Sequence, residues 1–143
     1  MNNNLKSPSP QKAVLYARVS SKEQEKEGFS IPAQLKLLNK YAADNRLQVI
    51  EEYVDVETAK KSGRTGFTEM IKFLKKEAKG KRTLPCRTLL VEKTDRLYRN
   101  LKDWVTLDEL DLEIHFVKEN VTLSQESRSS EKFMHGIKVL MAK

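Results

Sequence analysis

Two short segments of this 143-residue chain carry residue types that could do chemistry together. The first is Tyr16-Ala17-Arg18-Val19-Ser20-Ser21, and the second is Thr94-Asp95-Arg96-Leu97-Tyr98-Arg99. They offer a hydroxyl, three guanidiniums and a carboxylate. No histidine stands in either segment, which argues against ordinary acyl transfer, because a serine nucleophile there needs a base to take its proton. Arginines suit phosphoryl chemistry better. A planar guanidinium binds the non-bridging oxygens of a phosphodiester bidentately. It also stabilises the charge of an in-line transition state and favours the alkoxide form of a nearby hydroxyl. Taken singly, each residue has a plainer use. Ser20 could cap a helix or turn, Arg96 and Arg99 could be solvated, and Asp95 could be an N-cap. Their joint placement at strand ends weakens these plainer uses and brings a phosphate-handling site into contention.

That placement depends on the elements around them. Residues 13–19 (AVLYARV) form a short apolar, β-prone run, and strand alternation puts Arg18 and Ser20 on one face at its end. Ser30 is suited to cap a helix with Pro32 in its first turn, and Ile31, Leu35, Leu38 and Ala42 repeat at helical spacing. Residues 47–54 predict a second strand and 55–66 a polar loop. Phe67, Met70, Ile71, Leu74 and Ala78 mark a second helix that stops at Gly80. A third strand is expected over 88–92, followed by a turn over 94–100. If that turn enters a helix, Arg96 and Arg99 stand at i and i+3 on one face. Asn100 can cap a helix bearing Leu101, Trp104, Val105 and Leu110, and residues 112–117 predict a fourth strand. A polar loop over 120–130 leads into a helical pattern that starts near Ser130 and continues to Lys143 without a stop signal.

Strands and helices alternating four times predict an α/β fold: a mostly parallel central sheet of about four strands, flanked by helices. Residues 1–12, mixing Asn, Ser, Pro and Lys, read as a disordered tail, so the folded domain is expected over 13–143 and to end inside the start of a long helix. In such sheets ligands sit at the carboxyl ends of the strands, where both chemical segments fall.

Composition narrows the function classes. Hydrophobic residues make up 38% and charged residues 33% of the chain, which is polar yet sufficient for a core. No apolar stretch is long enough for a membrane span, and no secretory signal is visible, so a cytoplasmic location is expected. A single cysteine, Cys86, excludes an intrachain disulfide, and Cys86 with His115 and His135 is too few for a zinc cluster. No cofactor or metal is expected. Net charge is +7, and residues 79–102 hold eight basic against two acidic residues, so +6 of it lies in one stretch. Concentrated positive charge is the footprint of a polyanion partner. A phosphorelay receiver shares the alternation but needs acidic residues where Arg18-Val19-Ser20 stand. A nucleic-acid-binding module and a hydrolytic phosphodiesterase both remain open on these grounds.

The motifs themselves resemble a known family. YARVSSKEQ (residues 16–24) is similar to the active-site signature of the serine recombinases, the resolvase/invertase family, built around an Arg-x-Ser core. DRLYR (95–99) resembles their Asp-Arg-x-x-Arg element. Ser30-Ile31-Pro32-Ala33-Gln34 resembles the Ser-Ile-x-x-Gln of the large serine recombinases, and Ser62-Gly63-Arg64-Thr65-Gly66-Phe67 their Ser-Gly-Arg-x-Gly-Phe loop. The resemblance implies a resolvase-like catalytic domain of a site-specific DNA recombinase. By position, Ser20 becomes the nucleophile that forms a 5′-phosphoserine and releases a 3′-hydroxyl. Arg18, Arg96 and Arg99 hold the phosphate, Asp95 orients an arginine or assists the leaving oxygen, and Gln34 and Arg64 are further phosphate contacts. DNA is the implied partner, together with self-association into dimers and a synaptic tetramer, with rejoining that needs neither ATP nor metal. The helix from Ser130, with Met134, Val139 and Met141, is the implied association interface. Residues 56–61 depart from the family's Gly/Ser-richer loop, and an irregular segment is expected there. Large members carry DNA-binding domains after the catalytic one, including a zinc-binding module, so this chain is expected to be the catalytic piece of a longer protein.

Overall fold

The computed structural model describes residues 10–20, 22, 30–58, 64–80, 84–124, 135–137 and 141. A five-stranded sheet in the order β2-β1-β3-β4-β5 forms its centre. Its strands are β1 (Gln11–Ser20), β2 (Leu47–Glu57), β3 (Thr88–Val91), β4 (Glu113–Phe116) and β5 (Val121–Leu123). The first four run parallel and β5 returns antiparallel to β4. The helices are α1 (Ile31–Asp44), α2 (Thr65–Lys79), the single turn α3 (Thr94–Leu97) and α4 (Leu101–Asp108).

Alternation along β1 builds two cores. Val14 and Tyr16 face Phe67, Met70, Ile71 and Leu74 of α2 and Leu107 of α4. Ala13 and Leu15 face Leu38 and Ala42 of α1. A strand buried on both faces reads as a continuous apolar run, which is what residues 13–17 are. Ser30 caps α1, its Oγ accepting from the Ala33 N–H at 3.3 Å, with Pro32 in the first turn. Asn100 caps α4 through the Asp103 N–H at 3.0 Å.

Several elements differ from the sequence expectation. β1 begins at Gln11, two residues ahead of the apolar run, because β2 supplies a ladder partner there. β2 continues three residues past Val54, through Asp55 to Glu57. Alternating Tyr53, Asp55 and Glu57 toward one face lets polar residues extend a strand whose other neighbours are paired to β1. Residues 121–123, expected as loop, form β5. Asn120 takes a left-handed conformation (φ 53°), which an Asn tolerates, and turns the chain back along the open edge of β4. On α2 the buried position is Glu77, whose carboxylate accepts the Cys86 N–H at 2.9 Å, while Ala78 faces solvent. Leu101 and Val105 of α4 also face outward.

In the segment 56–61, expected to be irregular, residues 56 and 57 continue β2. Residues 59–61, residues 1–9 and most of the C-terminal helical pattern, including Met134 and Val139, lie outside the described residues. His135–Ile137 is helical, with His135 buried against Tyr98 and Phe116. Met141 is exposed. Among the described residues no helix is long and apolar enough to cross a membrane.

Candidate active site

The strand order reverses between β1 and β3, since the chain steps from β1 to β2 on one side and to β3 on the other. Outside the carboxyl ends of those two strands lies the crevice where doubly wound sheets bind ligands. Arg18 and Ser20 end β1, and α3 follows β3 after two residues.

Register places the facing side chains in rows. Tyr16 pairs with Tyr53, Arg18 with Asp55, and Ser20 with Glu57. The Arg18 guanidinium reaches across to α3, where Nε donates to the Arg96 carbonyl at 3.1 Å and Nη2 to the Asp95 carbonyl. Its Nη1 is paired with the Glu57 carboxylate. The other oxygen of that carboxylate lies 3.2 Å from Nη2 of Arg99. Glu57 therefore bridges two guanidiniums beside Ser20.

Backbone geometry explains how Arg18 is seated. β3 ends at Val91, opposite Tyr16, so the β1 backbone beyond that rung has no strand on its β3 side. Gln34, fully buried on the inner stripe of α1, fills the gap. Its Oε1 accepts the Arg18 N–H at 3.2 Å and its Nε2 donates to the Arg18 carbonyl at 3.0 Å. Arg64 is likewise held by protein. It pairs with Asp103, donates to the Leu97 carbonyl at 2.7 Å and the Tyr16 hydroxyl at 3.3 Å, and lies 4.0 Å over the Phe67 ring. Asp103 also accepts the Arg99 N–H at 2.8 Å, so one carboxylate ties Arg64 to the Arg99 backbone.

Asp55 organises the neighbouring helix start. Its carboxylate accepts the Gly66 and Phe67 N–H groups at 2.8 and 2.9 Å and the Tyr16 hydroxyl at 2.6 Å. No side chain of α2 caps its own N-terminus, so the cap comes from the strand. Burial pushes the Tyr16 phenol well above its ordinary range, opposed by the Arg64 guanidinium, and this keeps the hydroxyl protonated as a donor to Asp55.

The expectation that Arg96 and Arg99 share a helix face is corrected. α3 ends at Leu97 and Tyr98 is extended (φ −101°, ψ 134°), which turns the two arginines apart. Arg96 is buried, with Nε 3.3 Å from Glu92, while Arg99 is exposed. Glu92 is shared with Lys118 at 3.1 Å, and Glu119 accepts the Thr94 N–H at 2.9 Å, so the turn after β4 fixes the start of α3. Asp95 is exposed. The basic stretch is divided too. Lys79 and Arg87 lie before β3, and Lys93, Arg96, Arg99 and Lys102 after it, so the strand's length carries the two groups to opposite ends of the sheet.

Glu57, Asp103, Asp55, Glu92 and Glu119 escaped the sequence reading. For Glu57 a signal existed: Tyr53, Asp55 and Glu57 keep the period of two beyond the apolar part of β2. Asp55 and Glu119 act only across long separations, and Glu92 and Asp103 join a partner four residues away to a distant one. Among the described residues no group of His, Cys, Asp and Glu could hold a metal ion.

The site is thus an arginine-lined strand end carrying a serine, on a doubly wound sheet. The family described as "Resolvase, N terminal domain" matches residues 13–143. This chain belongs to that family, and it is an enzyme of the DNA recombinase class. Solved structures agree. The N-terminal catalytic domain of TP901-1 integrase is 26% identical with a TM-score of 0.68, covering 92% of this chain and 94% of that one. A resolvase family site-specific recombinase from Streptococcus pneumoniae is 23% identical with a TM-score of 0.70, over 92% and 87%. The C-terminal catalytic domain of ISC1926 TnpA, an IS607-like serine recombinase, is 22% identical with a TM-score of 0.58, over 92% and 79%. No curated protein matches.

Proposed function

We propose that residues 13–143 form the catalytic domain of a site-specific DNA recombinase in which Ser20 is the nucleophile. The Ser20 oxygen attacks a backbone phosphorus in line, forming the Oγ–P bond as the P–O3′ bond breaks. The serine proton is released to solvent as the 3′-oxygen takes one up and leaves as a hydroxyl, leaving DNA joined through a 5′-phosphoserine. One phosphate ester replaces another, so the reverse attack by a 3′-hydroxyl rejoins strands without ATP.

Arg18 and Arg99 hold the non-bridging oxygens, in the way each now holds an oxygen of Glu57. Arg96, whose guanidinium is buried against Glu92, contributes through the carbonyl that seats Arg18. Asp95, which is exposed, orients an arginine or assists the leaving 3′-oxygen. Gln34 and Arg64 act as positioning residues in this state, one on the Arg18 backbone and the other on Asp103. Exchange between two duplexes breaks four strands, so four copies of the site, a tetramer, are needed on DNA.

The observation that carries this reading is the convergence of Arg18 and Arg99 on one carboxylate at the rung occupied by Ser20. The test is to incubate the chain with duplex DNA, digest with nuclease and protease, and examine the peptides by mass spectrometry. A nucleotide phosphate on Ser20, absent from Ser20→Ala, is expected. DNA binding that is salt-sensitive and identical in both, with no adduct in either, would instead identify a binding module.

A further inference from the structure

We propose that Glu57 is an internal stand-in for the substrate phosphate, a carboxylate that fills the oxyanion seat between Arg18 and Arg99 and leaves it when a phosphodiester enters. The inference rests on the reading of those arginines as phosphate-holding. Its own content is that this chain carries a competitor for its own substrate.

The geometry supports this in three ways. First, the two oxygens of one carboxylate are divided between two guanidiniums, Oε1 to Arg18 and Oε2 to Arg99. Two non-bridging phosphate oxygens would need the same division, because a guanidinium fork accepts either anion. Second, Glu57 stands on the rung of Ser20, so the seat is at the register position of the residue whose hydroxyl must meet the phosphorus. Third, the Glu57 side chain is 14% exposed and Arg99 35%, so the seat opens to solvent on the Arg99 side and an external anion can approach it.

The contact is also placed where it can break. Ser20 and Glu57 form the last rung of the β1–β2 ladder, and terminal rungs open at the lowest free energy. Arg18 does not depend on Glu57 for its position, since the Asp95 and Arg96 carbonyls hold the guanidinium and Gln34 holds its backbone. Removing the carboxylate therefore leaves Arg18 aimed at an empty seat. As a tethered ligand, Glu57 has a high effective concentration, and a free anion must outcompete it. A DNA phosphate delivered by a bound duplex has the same advantage, so the seat discriminates against stray phosphate.

Inorganic phosphate is the probe. Its binding to the chain is measured by isothermal titration for the natural sequence, Glu57→Gln, Glu57→Ala and Glu57→Gln combined with Arg99→Gln, each checked for folding by thermal unfolding. Glu57→Gln and Glu57→Ala are expected to bind phosphate about tenfold more tightly than the natural chain. Adding Arg99→Gln is expected to remove the gain. Folded Glu57 variants that bind phosphate equally or more weakly overturn the proposal and make Glu57 a structural clamp. A crystal of the natural chain soaked in sulfate tests the same point without a variant. Sulfate between Arg18 and Arg99 with Glu57 turned away supports displacement, and sulfate bound elsewhere with Glu57 still bridging refutes it. The phosphoserine reading is judged separately by the Ser20 adduct. Adduct formation with no phosphate gain in Glu57→Gln removes only the role of Glu57. Phosphate binding indifferent to Arg99 in every variant, with no adduct, removes both.

Discussion

Gln34 completes the sheet for Arg18. Its amide gives and takes one hydrogen bond each with the Arg18 peptide groups, at 3.0 and 3.2 Å, on the side where β3 has already ended. A primary amide has the donor and acceptor of a peptide unit, so one buried side chain does the work of an absent rung. The reach of Arg18 toward α3 begins from a backbone fixed in this way.

Gln34→Ala should therefore act on stability and on the site together. It strands two backbone groups beside a fully buried position, which costs about 1–3 kcal/mol. Urea unfolding reads the loss, and the Ser20 adduct assay should show slower formation. A loss below roughly 0.5 kcal/mol would mean that water replaces the amide.

Gly66 is required by a close approach. A Cβ there would lie 2.6 Å from the Val54 carbonyl oxygen and 3.1 Å from Asp55 Oδ1. Gly66→Ala must push the start of α2 off β2 and loosen the bonds from Asp55 to Gly66 and Phe67, at a cost of about 2 kcal/mol. Gly80→Ala is the control. Its Cβ would meet only the Lys76 and Glu77 carbonyls at 3.4 and 3.6 Å, so stability should change by less than about 0.5 kcal/mol.

Arg64→Lys should behave as a disruptive change. Lysine keeps the charge but cannot reach Asp103, the Leu97 carbonyl and the Tyr16 hydroxyl at once while lying over Phe67. A loss of about 2–3 kcal/mol in denaturant unfolding is expected, because Asp103 keeps a nearly buried charge with a poorer partner. Asp103→Asn in the Arg64→Lys background should add much less than it does alone, which a double-mutant cycle measures.

Alkaline pH should unfold the protein by a defined route. Burial pushes Cys86 up to about 11 and Tyr53 up to about 12, and raises Tyr16 and Tyr98 further still. Each group releases its proton more readily unfolded, so above pH 9 the folded state binds more protons than the unfolded one. Stability is then complete below about pH 8, where all four are protonated in both states, and falls as pH rises toward the folded values. Unfolding free energy measured from pH 8 to 12, with phenolate absorbance as a second reading, should show this fall. The Cys86 thiol, 1% exposed, should resist thiol reagents at pH 8 until denaturant is added.

Much of this fold was legible because its signals are local. The apolar run ending in Arg18-Val19-Ser20, the Ser30 and Asn100 caps and the stripe from Phe67 to Leu74 each depend on residues within a few positions of one another. Helix and strand periodicity record which side of an element is buried, and the structure bears out those faces for β1, α1 and α2, while α4 buries Leu107 in place of Leu101 and Val105. β5 carried no such record, since three residues are too few for a period and its strand exists only because β4 presents an open edge. The end of β2 was hidden by polarity. Asp55 and Glu57 look like loop residues until α2 and the arginines are there to receive them.

The sequence by itself determined the alternation of strands and helices, the residues at the strand ends, and through its motifs the family. Tertiary structure decided which of those residues meet. Arg96 turns inward to Glu92, Arg99 outward to Glu57, and Gln34 onto the Arg18 backbone, pairings that span from four to 42 positions. Charge and hydrogen-bonding capacity are properties of single residues, but their partners are chosen by the register of β1 on β2 and by where β3 stops. No periodicity within one segment encodes either of these.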